Sequence, residues 1–403
     1  MAESFESARG IILAKTSLLP AESIPLLEAG GRVLAADLSA PGDLPSWDNS
    51  AMDGFAVRCQ DCGTERPLLV EGYIPAGVSA EGFLVKPGVA VRIMTGAPVP
   101  LGCDAIVPVE ETLESGEQVV IRGAVQSGDH IRRRGEDVRQ GDVMLRAGAI
   151  LHPAGINLLA AFGYSRVSVY RRPQVAILST GDELVEPGEP LGPGQIVNSN
   201  AYSLAAAIRE VGGEPLLLGI ARDEHDSLLQ KLTAGLNADV LITTAGVSMG
   251  DRDLVREVLD ELGVEGLFWK IDIKPGRPTA FGIKGGTLVF SLPGNPVSSM
   301  VTFEEFVRPA LLKMMGHQQV IKPFVKANLK QALTKKAGRV QFLRVQVVKE
   351  GERLVASSSG DQNTGILSTM LRANGIAVLA AATEKYAAGA EVDIHLISAV
   401  TEP

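Results

Sequence analysis

The chain has 403 residues, of which 45% are hydrophobic and only 4% aromatic, with 38 Lys and Arg against 47 Asp and Glu. That length holds about two to four domains, each with room for its own core. A net charge of −9 excludes a non-specific nucleic-acid binder, which needs a cationic footprint, and the composition excludes collagen, coiled-coil and disordered classes.

No apolar run approaches the roughly 18 residues that cross a bilayer. The N-terminus MAESFESARGIILAK lacks the basic-then-apolar layout of a signal peptide. Three cysteines build no disulfide framework. A cytoplasmic protein without a membrane or nucleic-acid partner is expected.

In chain order, residues 1–38 read as helices, with Ile11, Ile12, Leu18, Ile24, Leu27, Val33 and Leu34 near helical spacing. From Pro41 to about Val138, short apolar runs alternate with Gly and Pro, the texture of a β-rich domain. A helical pattern returns over Ala149–Phe162, and RVSVYRRP marks a junction at Pro173.

Residues 174–312 alternate strands (VAILS, LLLGI, DVLITT, GLFWKI, TLVFS) with helices (about Asn200–Val211, HDSLLQKLTAGL, DLVREVLDEL). A last helix runs from an Asn295 N-cap and N1 Pro296 through Leu312. That rhythm predicts a three-layer α/β domain with a mainly parallel sheet. After Pro323 short strands return, predicting a small β domain.

Ligands of an open α/β sheet bind beyond the carboxyl ends of its strands. Those ends carry Thr180-Gly181-Asp182-Glu183, Arg222-Asp223-Glu224, the Thr244 to Asp253 loop with Ser248 and Gly250, Lys274-Pro275-Gly276-Arg277-Pro278, and Leu292-Pro293-Gly294-Asn295-Pro296. Small residues at helix starts offer backbone N–H groups to an anion. Lys274 and Arg277 add positive charge, and Asp182, Glu183, Asp223, Asp251 and Asp253 are hard oxygen donors suited to Mg²⁺ beside a phosphate ester.

Taken singly, TGDEL also reads as a capped helix start, KPGRP as a rigid turn and PGNP as a helix N-terminus. Their joint placement favours an anionic substrate. Cys59-Gln60-Asp61-Cys62 has no second ligand pair, the five histidines are scattered, and Arg132-Arg133-Arg134 reads as a solvated or ion-paired turn.

The loops resemble, in order and spacing, the molybdopterin molybdenumtransferase family, which includes bacterial MoeA and the E domains of gephyrin and its plant counterpart. The matching stretches are DNSAMDGFA (48–56), RIMTGAP (92–98), Gly135-Glu136-Asp137, STGDEL (179–184), Asn198-Ser199-Asn200, the Thr243 to Asp253 loop, KPGRP, LPGNPVS, Phe342-Leu343-Arg344 and Ala373-Asn374-Gly375. They span nearly the whole chain.

The resemblance implies an elongated homodimer of four domains. These would be a discontinuous α/β domain similar to molybdopterin adenylyltransferase (1–21 and 173–320), a small helical and β linking domain (22–45 and 139–172), a β-rich domain (46–138), and a C-terminal β-barrel-like domain (321–403). It implies the reaction of adenylyl-molybdopterin with molybdate to give molybdenum cofactor and AMP, with a divalent cation, Mg²⁺.

Carried over residue by residue, Ser248, Lys274, Arg277, Arg344 and Ser368 would receive molybdate, a tetrahedral dianion suited to cations and hydroxyls. Asp182, Glu183, Asp223 and Asp253 would hold Mg²⁺ and the adenylylated phosphates, with Gly250 and Asn295 on the substrate-binding loops. Asp137 would belong to the cleft wall, and Asp53 and Thr95 would act across the dimer. The family commonly has Gly where this chain has Ala245, and Lys where it has Arg277. Both changes alter geometry without removing charge, so activity is expected to survive. A scaffold that has kept the fold without turnover, and the adenylyltransferase itself, are the competing readings.

Overall fold

The computed structural model describes residues 2–63, 66–245 and 254–400. They fall into two compact units: Pro25–Gly30 with Ala36–Arg166, and Met1–Ile24 with Gly31–Ala35 and Val167–Pro403.

The larger unit contains a six-stranded sheet in the order Glu214–Ala221, Gln174–Thr180, Val240–Thr244, Thr287–Leu292, Ala280–Lys284, Glu265–Phe268. The first four are mutually parallel. Ala280–Lys284, a strand not expected from the sequence, is antiparallel to both neighbours. Five strands therefore point the same way, and their carboxyl ends share one edge.

Val175, Ile177, Val240, Ile242 and Phe290 bury one face of the sheet against the helix Ser199–Glu210 and the Pro296–Met314 region. Ala176, Leu178, Leu241 and Val289 bury the other against the helices His225–Gly235 and Leu254–Glu261. Alternate residues of one strand thus feed two cores, which makes the three layers.

Two readings of the sequence are corrected. Residues 21–38 are not helical. Pro20 and Pro25 bracket the strand Ala21–Pro25, which pairs with Arg166–Tyr170, and Leu27 is 94% exposed, so its helical spacing is coincidental. The expected helix from Asn295 is interrupted: Pro296–Thr302 and Arg308–Met314 flank one wide π turn, Phe303–Val307. Pro309 has no N–H to donate, and its ring would meet the carbonyl of Glu305 in a regular helix, so the widened turn relieves that conflict.

The N-terminal helix Phe5–Lys15 starts where Ser4 accepts from the Ser7 N–H at 3.1 Å. Phe5 packs edge-on against Phe306 and Phe342, with ring centres 5.6 and 5.2 Å apart. One aromatic side chain therefore ties the chain's start to the α/β core and to the C-terminal strands.

Those strands close on themselves in the cyclic order Val340–Glu350, Arg353–Ser358, Val325–Leu329, Glu391–Leu396, Gly375–Leu379, with the last pairing back to the first. Closure leaves no free edge, and Val345, Val347, Ala377 and Ile394 fill the interior. The short strand Ile273–Lys274 adds to Val340–Glu350, with Lys274 opposite Gln341.

The smaller unit is built on a second six-stranded sheet, Ala105–Pro108, Gly54–Val57, Val89–Ile93, Leu68–Ile74, Gln118–Ile121, Thr112–Ser115. Phe55 and Val57 join one core and Ala56 the other, so this sheet too is buried on both faces. Gly54 lies so close to the Val107 carbonyl that any Cβ there would overlap it, which is the physical demand behind the glycine of DNSAMDG.

The basic turn is ion-paired, Arg133 to Asp48 at 2.7 Å and Arg134 to Asp43 at 2.5 Å. Burial pushes the Cys59 thiol up to about 12 and those of Cys62 and Cys103 up to about 11, so all three are protonated at neutral pH. Among the described residues, no helix is long and apolar enough to cross a membrane.

Candidate functional site

At the common edge of the larger unit's sheet lies a cavity of about 410 Å³, lined among others by Thr180, Glu183, Asn198, Asn200, Pro278 and Asn295. That volume suits a bicyclic or nucleotide-sized ligand. Its floor is a buried hydroxyl–amide relay. Thr244 Oγ1 donates to Ser179 Oγ (3.2 Å), which donates to Asn198 Oδ1 (2.8 Å), and Asn198 Nδ2 donates to Glu186 Oε1 (3.3 Å). Asn200 Nδ2 donates to the Gly294 carbonyl at 2.7 Å, which joins the NSN and PGN loops. Its Oδ1 is buried and has no donor among the described residues. A ligand N–H is what that oxygen is suited to accept.

The TGDEL turn is made possible by Gly181, whose φ of 138° disfavours a side chain and whose Cβ, if present, would overlap the Glu183 carboxylate. From the next strand end, Arg222 Nη1 donates to the carbonyls of Asp182 (3.0 Å) and Leu184 (3.2 Å), and the Asp223 N–H donates to Asp182 Oδ1 (3.2 Å). Asp182, Glu183 and Asp223 are thereby neighbours. Partial burial, then the charges of Asp182 and Glu183, raise the Asp223 carboxyl above its ordinary range. Among the described residues, however, no three His, Cys, Asp or Glu side chains form a metal-binding group. Ser248, Gly250, Asp251 and Asp253 lie outside the described residues.

The KPGRP loop borders two cavities. Pro278 lines the first, while Lys274 lines a second of about 340 Å³ together with Thr334, Lys335, Lys336, Arg339 and Gln341 of the C-terminal region. Arg277 does not join Lys274 there. It lies 3.9 Å from Asp272, with both side chains exposed.

Arg344 is only 1% exposed, and its guanidinium bonds Thr369 Oγ1 and the carbonyls of Asp361 and Asn363. Ser368 is exposed, 3.5 Å from Arg372. Asn295 stands at the N-cap position of its helix without a side-chain capping bond, and it lines the first cavity instead.

Ala245 has φ 71°, left-handed backbone that strains an L-residue. The family's glycine at that place is therefore intelligible. Ala245→Gly should stabilise the protein by about 1 kcal/mol after the glycine's own entropic cost, read as a raised urea midpoint. An unchanged or lowered midpoint would mean that the surrounding loop compensates the alanine.

In the smaller unit, Asp53 Oδ1 accepts from both the N–H and the hydroxyl of Thr95, each at 2.7 Å. These two bonds hold the Asp53 carboxyl below its ordinary range, with the backbone bond the larger cause. The DNSAMDG and RIMTGAP motifs thus converge on one fixed, exposed carboxylate. Asp137 is exposed, and its N–H donates to the Leu44 carbonyl at 3.1 Å.

Sequence reading missed Arg222 as the clasp of the TGDEL turn, and it missed Lys335, Lys336 and Arg339. The only signal for the last three was a basic run in a turn after Pro323. The clasp had none, because an arginine bonded to carbonyls looks like any loop arginine.

Comparison with known proteins accounts for the whole arrangement. Residues 3–163 match the MoeA N-terminal region (domain I and II), 176–313 a probable molybdopterin binding domain, and 326–397 the MoeA C-terminal region (domain IV). Molybdopterin molybdenumtransferase 2 of Mycobacterium tuberculosis is 39% identical over 387 residues, covering 92% of this chain and 94% of that protein. The molybdopterin molybdenumtransferase of Haemophilus influenzae is 38% identical over 382 residues, covering 93% of each. The crystal structure of a molybdopterin biosynthesis MoeA protein from Pyrococcus horikoshii superposes with a TM-score of 0.86 at 32% identity, covering 99% of this chain and 100% of that one. Full-length similarity of this extent, carried by the same loops that build the edge of the sheet, makes the chain a member of the MoeA family of molybdopterin molybdenumtransferases.

Proposed function

We propose that this protein inserts molybdenum into molybdopterin, taking adenylyl-molybdopterin and molybdate to molybdenum cofactor and AMP. The observation that carries the reading is the KPGRP loop, which borders a polar, amide-lined cavity on one side and a wholly cationic one on the other. A two-substrate reaction between a nucleotide-bearing pterin and an oxyanion needs that division. The Asn198 and Asn200 amides orient the pterin-bearing substrate, and Lys274 holds the oxyanion by a charge-assisted hydrogen bond. No protein nucleophile is required, since the substrate's own dithiolene sulfurs bind the metal as the adenylate is cleaved.

Asp182, Glu183 and Asp223 fit a divalent cation by donor chemistry, because a cation relieves the mutual repulsion that raises Asp223. Asp253 completes the set in this reading. Mg²⁺, when bound, supplies polarisation of the phosphoanhydride.

The reading also carries a cytoplasmic homodimer that receives its pterin substrate from molybdopterin adenylyltransferase. In it the four-domain division is 1–21 with 173–320, 22–45 with 139–172, 46–138, and 321–403. Asp53 and Thr95 serve the reaction from the partner subunit, and Asp137 belongs to the cleft wall.

Release of AMP from adenylyl-molybdopterin that depends on molybdate tests the reaction. Its absence leaves the scaffold reading, and consumption of ATP without molybdate favours an adenylyltransferase. Shared sites predict that an Asp53→Ala subunit mixed with a Glu183→Ala subunit regains activity in heterodimers, where one of the two sites is intact. Verified heterodimers that stay inactive would refute the sharing.

A further inference from the structure

The second cavity holds a larger positive charge than the known loop explains. Lys274 comes from the α/β part of the unit and Lys335, Lys336 and Arg339 from the C-terminal part. Strand pairing of Lys274 with Gln341 fixes them side by side. Among the described residues, none of these four cations has a carboxylate partner within 4.0 Å.

Lys335 is the most constrained. It is 9% exposed, and its ammonium donates to the carbonyls of Lys336 (3.3 Å), Arg339 (3.0 Å) and Ala381 (3.3 Å). Those carbonyls satisfy its three donors but leave its charge unneutralised. The nearest acid bonded to this turn, Glu384, accepts from the Ala337 N–H at 3.4 Å rather than from any of the cations. Keeping a shielded ammonium without a counter-charge is costly, and in a protein of net charge −9 it is anomalous.

We infer that Lys274, Lys336, Arg339 and the fixed charge of Lys335 form a binding site for a small tetrahedral dianion, and that molybdate enters the reaction through it. The inference rests on the proposed function and adds to it. The oxyanion is bound by the turn Lys335–Arg339 of the C-terminal part as well as by the KPGRP loop. Arg339 offers a planar fork for two oxygens of one face, Lys274 and Lys336 offer point charges, and Gln341 an amide donor. The absence of apolar lining beyond the threonine methyl and lysine stems disfavours an organic ligand. Molybdate, sulfate and phosphate share this chemistry, so the test must separate them.

Titration of the full-length protein with molybdate, sulfate and inorganic phosphate, each without pterin, provides the measurement. Molybdate should bind and sulfate should compete with it. The Lys336→Ala/Arg339→Ala double variant should bind molybdate about tenfold or more weakly, with an unchanged circular dichroism spectrum. Arg339→Lys, which keeps the charge but loses the fork, should fall between.

Molybdate affinity within about twofold of the parent in the double variant would overturn the site, as would binding of phosphate alone. Such a result would leave molybdate-dependent AMP release intact and so would not touch the function itself. Loss of AMP release in the unmutated protein, with oxyanion binding retained, would do the reverse.

Discussion

Lys274→Ala should lower molybdate-dependent AMP release by about 10- to 100-fold while changing the affinity for adenylylated pterin by no more than about twofold. Lys274 is exposed and lines the cationic cavity, and it does not line the amide-lined one. Its ammonium therefore meets only one of the two substrates. A charge-assisted hydrogen bond is worth about 1.5–3 kcal/mol, and each 1.4 kcal/mol is a factor of ten, which sets the range.

If the lysine acts by binding, the defect lies in the molybdate KM, and raising molybdate recovers part of the rate. Lys274→Arg should retain more activity than the alanine variant, because charge is kept although the three-donor geometry is not. Equal loss for the two substrates would contradict a dedicated oxyanion role and move Lys274 into the common machinery.

How much of this arrangement is legible in the sequence depends on the range of each interaction. The α/β layers are legible because VAILS and DVLITT are short apolar runs with turn residues at their ends, and the flanking helices carry their own periodicity. The barrel's closure is not, since pairing of Gly375–Leu379 with Val340–Glu350 leaves no mark on either strand alone. Glu183 and Asn295 were readable as site residues because helix starts and strand ends announce themselves locally. Arg277 was misjudged as a companion of Lys274. Spacing along the loop said that they were neighbours, whereas the turn sends Arg277 back toward Asp272. Lys336 and Arg339 needed the register of Lys274 against Gln341, a tertiary fact. The interruption at Pro309 was visible in the sequence, but not whether the helix would end, kink or widen.

Arg344→Met should loosen the Asp361–Thr369 segment by about 3 kcal/mol, where Lys274→Ala leaves stability within about 0.5 kcal/mol. The resemblance gives Arg344 a direct role toward molybdate, but its donors are spent on the protein. Nε bonds Thr369 Oγ1 at 2.8 Å, and Nη2 bonds the carbonyls of Asp361 at 3.0 Å and Asn363 at 3.2 Å. The backbone of the same residue is clamped by Gln362, whose Oε1 accepts from the Arg344 N–H and whose Nε2 donates to its carbonyl. Methionine fills most of the volume but leaves the carbonyls without donors, which is the costly half of the change. Lysine should rescue little, since one ammonium cannot reproduce the planar fork.

The measurement is amide hydrogen exchange over residues 361–369, which reports local opening where a multidomain melting curve would not. Faster exchange confined to that segment, with molybdate affinity falling as Ser368 loses its support, makes Arg344 a positioning residue. Unchanged exchange with molybdate binding abolished would restore it as a direct ligand. The oxyanion would then have to draw the guanidinium away from three bonds that the loop now holds.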